Sequence, residues 1–146
     1  MNEIERFQKC LLLLRRTLGW SGAVFGNYIG ATRQTVNNIE TGRNKLSKTR
    51  YIAMRSVLEA EIAAHPDETE VLRLILEVFV DNPDGYTQEQ RESIFNHANM
   101  MAPSVLAGAT ARKDVSKAVM EYAATMGVDI GSSDGSWIAK SILEKK

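Results

Sequence analysis

Apolar residues in this chain recur at intervals of three and four from the first residues onward, and no segment shows the strict alternation of a half-buried strand. Helices are the regular element this pattern supports, so the chain is read as all-α. Ile4, Phe7, Leu11, Leu14 and Leu18 form the first series, with Gly19 placed to stop it. Ser21 is placed to cap a short second helix ending at Gly30, and Thr32 a third ending near Thr41 and Gly42. Each hydroxyl can accept an orphan N–H of the first helical turn. After a polar, basic connection at 42–46, Ser47 caps a fourth helix with Tyr51, Met54, Leu58 and Ile62 on one face.

Pro66 ends that helix or starts the next. A segment from Asp67 to Asp81 leaves only Glu70, Arg73, Glu77 and Asp81 as a narrow polar stripe. Such a helix requires burial on nearly every side, as core of the second half or as a seam against a second copy. Residues 82–85 form a turn, and Thr87 with Gln90 makes a capping box for a helix carrying Ile94, Phe95, Ala98 and Met101, which Pro103 is expected to interrupt. Val115, Val119, Tyr122 and Met126 mark another helix before Gly127. A Gly/Ser loop at 131–136 then leads to a short tail helix with Trp137, Ile138 and Ile142. Residues 1–65 are thus expected to form one helical bundle and residues 66–146 a C-terminal helical domain.

A chain with 44% apolar and 25% charged residues has enough of both to fold as an ordinary globular protein. The apolar runs at 11–14 and 71–80 fall far short of the ~20 residues a membrane span needs. The single cysteine, Cys10, has no partner for an internal disulfide, which fits a cytoplasmic location. With His65 and His97 it makes no recognised zinc spacing. Cys10 lies among Phe7, Leu11 and Leu14 and reads as a small core residue. No carboxylate pair, activated nucleophile or metal cluster stands out, so neither an enzyme nor a cofactor is expected. The zero net charge conceals an asymmetry: residues 1–65 carry ten basic against five acidic side chains, a net +5, so the remainder carries −5. That places the first part of the chain toward a polyanion.

The segment Gly22 to Thr41 refines this. Gly26 offers no side chain where two short helices must cross closely, and Gly30 permits the left-handed conformation a tight turn needs. Phe25, Ile29, Ala31, Val36 and Ile39 then point inward together. Arg33, Gln34, Asn37 and Asn38 are left on the outer face of the third helix, where a major groove would meet them. Arg pairs bidentately with guanine, and Gln or Asn with adenine. Arg33, Arg43, Lys45, Lys48, Arg50 and Arg55 flank this helix and read as a phosphate-facing set.

Ser21, Gly26, Gly30, the run Thr32-Arg33-Gln34-Thr35-Val36 and the close Ile39-Glu40-Thr41-Gly42 resemble the Cro and phage-repressor (xenobiotic-response-element) class of helix-turn-helix regulators, over roughly residues 7–62. The resemblance implies an N-terminal bundle of four or five helices. It implies base or flanking-phosphate contacts from Thr32, Arg33, Gln34 and Asn38, backbone contacts from Thr41, Arg43, Asn44 and Lys45, and a structural role for Glu40. It also implies double-stranded DNA as partner, a palindromic operator bound by a homodimer, and repression as the commoner outcome. Gly22 stands where the family often has a phosphate-binding Gln, which leaves that contact to Ser21 or Asn27. Leu46 replaces a frequent Pro, and Lys48 a frequent apolar residue. The alternative reading is an antitoxin-like or phage-regulatory interaction protein whose acidic C-terminal half holds a protein partner.

Overall fold

The computed structural model describes residues 1–131, so the tail helix expected around Trp137, Ile138 and Ile142 and nearly all of the preceding loop lie outside the described residues. Within them the regular structure is entirely helical. Seven helices follow in order: α1 (Glu3–Leu18), α2 (Gly22–Ile29), α3 (Arg33–Glu40), α4 (Lys48–Ala64), α5 (Glu70–Ile75), α6 (Gln88–Leu106) and α7 (Arg112–Thr125). The start signals act as local chemistry dictates. Ser21, Thr32, Ser47 and Thr87 each accept the N–H three residues on, and Thr87 with Gln90 closes a full capping box. Gly19 and Gly30 stop α1 and α2 at φ +74° and +69°.

The helix expected over Asp67–Asp81 is shorter and less regular than its periodicity implies. Pro66–Glu68 forms a 3-10 turn, α5 begins at Glu70, and its continuation Leu76–Asp81 is a π turn closed by Asn82 N–H donating to the Glu77 carbonyl at 2.9 Å. Val71, Leu72, Leu74, Ile75, Leu76, Val78 and Val80 are all buried within the chain. That face is already covered, so the seam reading of this helix does not hold. Pro103 also departs from expectation, because α6 runs through it to Leu106. The hydrogen bond it removes belongs to the carbonyl of Asn99, and Asn99, Met100 and Pro103 are exposed, so water can take the missing donor's place.

Helix α1 organises the packing. It buries Phe7, Cys10, Leu11, Leu13, Leu14, Thr17 and Leu18, and it touches α3 on one side and α5, α6 and α7 on the other. At about 1.5–3 kcal/mol for each large apolar side chain removed from water, neither part of the chain closes its core without this helix. The chain turns at Pro66, but one apolar cluster runs from Phe7 to Val128 across that point. Burial pushes the Cys10 thiol up to about 12, which keeps it protonated and inert at neutral pH.

Polar ties fix helix ends across the same core. The Arg6 guanidinium donates to the Val80 carbonyl at 3.0 and 2.8 Å, closing the C-terminal end of the π turn. The N–H of Val71, in the first turn of α5, donates to the buried Ser116 hydroxyl of α7 at 2.9 Å. Arg112 at the start of α7 reaches Glu61 of α4 at 2.6 Å and Glu68 at 3.5 Å. His65 pairs with Glu68 at 3.2 Å, and His97 stacks on Tyr122 with ring centroids 4.1 Å apart.

Candidate nucleic-acid interface

Helices α2 and α3 are eight residues each, joined by Gly30, Ala31 and Thr32. Helices this short do not persist alone in water, so packing must fix them. Phe25, Val36 and Ile39 are buried, while Ile29 and Ala31 are half-buried. Gly26 is indispensable to the crossing: a Cβ there would lie 2.5 Å from the Ala31 carbonyl oxygen, which no side-chain rotation relieves. Gly22 meets α3 less tightly, its would-be Cβ lying 3.5 Å from Cγ of Arg33. The stem of Arg33 therefore lies beside the first turn of α2, and the N-terminal ends of the two helices sit together.

Two long-range contacts lock α3 and the loop after it onto α1. Arg15 grips Glu40 bidentately, at 2.6 and 2.9 Å, with both side chains largely buried. Glu40 is thus a structural residue, and its charge is cancelled. Gln8 donates to the carbonyls of Ile39 and Asn44 at 2.9 and 2.8 Å and accepts the Leu46 N–H at 3.1 Å. The Asn44 N–H donates to the Asn38 carbonyl at 3.0 Å, folding the loop back on the end of α3. Leu46 is buried and anchors the loop's far end. Periodicity does not single out Gln8, because a polar residue on α1 looks like part of a solvated face until the loop it serves is in place.

On this scaffold Arg33, Gln34 and Asn37 are exposed along α3, and Asn38 is half-buried. The Gln34 amide donates to Oδ1 of Asn38 at 3.0 Å. Thr32 is exposed but already employed, since its Oγ1 accepts the Thr35 N–H at 3.1 Å and shares a hydrogen bond with the Thr35 hydroxyl at 3.0 Å. Thr41 likewise donates its hydroxyl to the carbonyls of Asn37 and Asn38. Ser21 caps α2, leaving its own O–H to donate outward. Asn27 is exposed farther along α2, and its side chain makes no hydrogen bond among the described residues. Arg43, Asn44, Lys45 and Lys48 are exposed, and Arg50 is half-buried.

Arg55 leaves the phosphate-facing set. It is 1% exposed and donates to both carboxylate oxygens of Asp81, at 2.8 and 2.5 Å, to Glu59 at 3.0 Å and to the Tyr51 hydroxyl at 3.2 Å. Burial alone would pull its pKa down, but the hydrogen bonds and charge of Asp81, with Tyr51 and Glu59, outweigh that and hold it above the usual arginine value. Tyr51 in turn donates to Glu3 and meets the Phe7 ring edge-on at 4.8 Å. Burial pushes the Tyr51 phenol up as well. The spacing that places Tyr51, Met54 and Leu58 on the inner face also carries Arg55 to its edge, where Asp81 awaits it.

Between Gly19 and Leu58 the sequence contains one acidic residue, Glu40, which Arg15 neutralises. Arg33, Arg43, Lys45 and Lys48 have no acidic partner within 4.0 Å among the described residues. The surface built from α2, α3, the loop and the start of α4 is consequently positive without internal compensation. Among the described residues no grouping of His, Cys, Asp and Glu could hold a metal ion, and no helix is long and apolar enough to cross a membrane. No protein-family model matches the chain, and no curated protein or solved structure is significantly similar to it.

Proposed function

We propose that this chain is a sequence-specific DNA-binding regulator of transcription, with α2 and α3 forming a repressor-like helix-turn-helix and α3 entering the major groove. The observation that carries the reading is the outer polar face of α3, with Arg33, Gln34 and Asn37 exposed and Asn38 half-buried, set in a surface whose only acid is cancelled. Base-reading chemistry and phosphate-binding charge thus occupy adjoining positions. Ser21, Asn27, Thr41, Arg43, Asn44 and Lys45 supply phosphate contacts, with Lys48 and Arg50 beside them. The capping duties of Thr32 and Thr41 leave them fewer free valences than Arg33 or Lys45. A homodimer on a palindromic operator belongs to the proposal, because one short helix reads few base pairs and two copies about 34 Å apart multiply the discrimination. Repression follows where that operator overlaps a promoter.

Selection of bound sequences from a random duplex pool near physiological salt, with the complex sized in parallel, tests this. An enriched inverted repeat bound by two chains is the expected result. No enrichment, with weak salt-sensitive binding or none, would sink the reading and favour an interaction protein whose acidic second half holds a partner.

A further inference from the structure

Two stretches of the sequence, residues 17–32 and residues 93–111, contain no Asp, Glu, Lys or Arg, in a chain where 25% of residues are charged. The fold brings them together. A Cβ at Gly19 would lie 3.1 Å from Cγ1 of Val105, so the corner between α1 and α2 abuts the C-terminal end of α6. On α6, Asn96, Asn99, Met100, Pro103, Leu106 and Ala107 are exposed along one face, opposite the buried Ile94, Ala98, Ala102 and Val105. On α2, Val24 and Tyr28 are exposed one turn apart, and the Tyr28 ring packs on the half-buried Trp20 with centroids 4.8 Å apart. The described residues expose five large apolar side chains, and four of them lie on these two stripes: Met100 at 71%, Tyr28 at 58%, Val24 at 42% and Leu106 at 38%.

We infer that a second copy of this chain docks on the uncharged stripes of α6 and α2; the role of the resulting dimer rests on the DNA-binding reading above. The apolar side chains at 71–78 and Val80 offer no such surface except at half-buried Glu77, because they are buried within the chain. Charge and symmetry select the occupant. In a two-fold contact a side chain near the axis meets its own copy, so a charge placed there would face a like charge. A face without charges avoids that repulsion, and the cores of protein interfaces are depleted of charge and enriched in Met, Tyr and Trp. Asn96 and Asn99 add amides, which both donate and accept and can therefore pair with their own copies. A highly charged partner would find nothing here to pair with. The contact also leaves α3 free. Val24 and Tyr28 follow Gly22 and Gly26 by two residues, about 200° round α2, and those two glycines are the ones that face the α3 side. A stripe of about 17 Å on α6 and one of about 6 Å on α2 cover less than the ~800 Å² per partner of a standard interface. The contact is therefore weak in free solution and is strengthened when a duplex holds two copies side by side.

The test is sedimentation equilibrium of the full chain without duplex, from about 1 µM to about 1 mM, the range a contact of this size requires. The parent is compared with Met100→Glu and Tyr28→Glu, each of which sets a carboxylate into one stripe. Met100→Glu should melt with the parent, since that side chain is largely in water. The parent should dimerise, and each variant should lose roughly tenfold or more in self-association. On DNA, Met100→Glu should bind a single half-site as the parent does but lose the parent's gain on the inverted repeat. A parent that stays monomeric throughout would overturn the inference and leave this face to a different protein or to residues 132–146. A parent whose dimer both variants preserve would place the contact elsewhere and overturn it equally. A parent that dimerises through this face yet selects no duplex would remove the DNA-binding reading and keep the interface.

Discussion

The helices divide into two groups by the charge of their first turns. Helices α1, α5, α6 and α7 carry Glu3 and Glu5, Glu70, Glu89 and Asp114 there, where acids complement the positive end of the helix dipole. Helices α2, α3 and α4 have no acid in the first turn, and α3 and α4 open on Arg33 and Lys48 instead. Stability alone favours the first arrangement by about 0.3–1 kcal/mol per helix end. The second group gives that up over one continuous stretch of chain, the stretch that also presents the polar face of α3. An anion brought by a partner would restore the balance, and a DNA backbone supplies a row of them.

The same division separates cations that hold the fold from cations that face outward. Arg6, Arg15 and Arg55 close a helix end, fix α3 and fill a buried network. Arg33, Arg43, Lys45 and Lys48 do none of this. The largest effect expected from breaking the contrast is therefore on the structural side. Asp81→Ala should lower the unfolding free energy by about 3 kcal/mol, read from a urea titration, because it strips the main partner from a buried guanidinium. A loss under about 0.5 kcal/mol would mean that Glu59 and Tyr51 suffice for Arg55. Next, Gly26→Ala should destabilise by about 1–3 kcal/mol, since its Cβ meets backbone at the turn and forces α2 and α3 apart. An unchanged melting temperature would contradict the close crossing. Arg33→Glu and Lys48→Glu should each stabilise the free protein by about 0.3–1 kcal/mol, a gain that would identify charges placed against the dipole rule. Smallest of all, Arg43→Ala and Lys45→Ala should leave stability within about 0.5 kcal/mol, while each flattens the salt dependence of duplex binding by about one unit.

What could be read from the sequence follows the range of the forces involved. Caps are local, so Ser21, Thr32, Ser47 and the Thr87/Gln90 box were legible from a few residues each. Gly26 and Gly30 were legible because only glycine resolves a close crossing and a left-handed turn. Arg55 misled because a cation at the edge of an amphipathic helix looks the same whether water or Asp81 receives it. Gln8 is hidden in the sequence for a related reason: its three partners lie more than thirty residues away. Pro103 and the π turn at 76–81 both depart from what periodicity implies; at Pro103 the freed carbonyl faces water while Ala98, Ala102 and Val105 keep the opposite face of α6 in the core. The charge asymmetry between the halves was visible at once, but its meaning depended on which cations were already spoken for. At the site, α3's outer face was legible from periodicity, whereas the Gln34–Asn38 bond required coordinates.

The measurement that bears most directly on the account is a salt series of duplex titrations on the parent and on the Arg33→Glu, Lys48→Glu double variant, run beside thermal unfolding of both. The variant should melt higher than the parent and no longer bind the selected duplex at physiological salt. A variant that binds with the parent's affinity and salt dependence would contradict the account, for the uncompensated first turns of α3 and α4 would then serve something other than a nucleic-acid backbone.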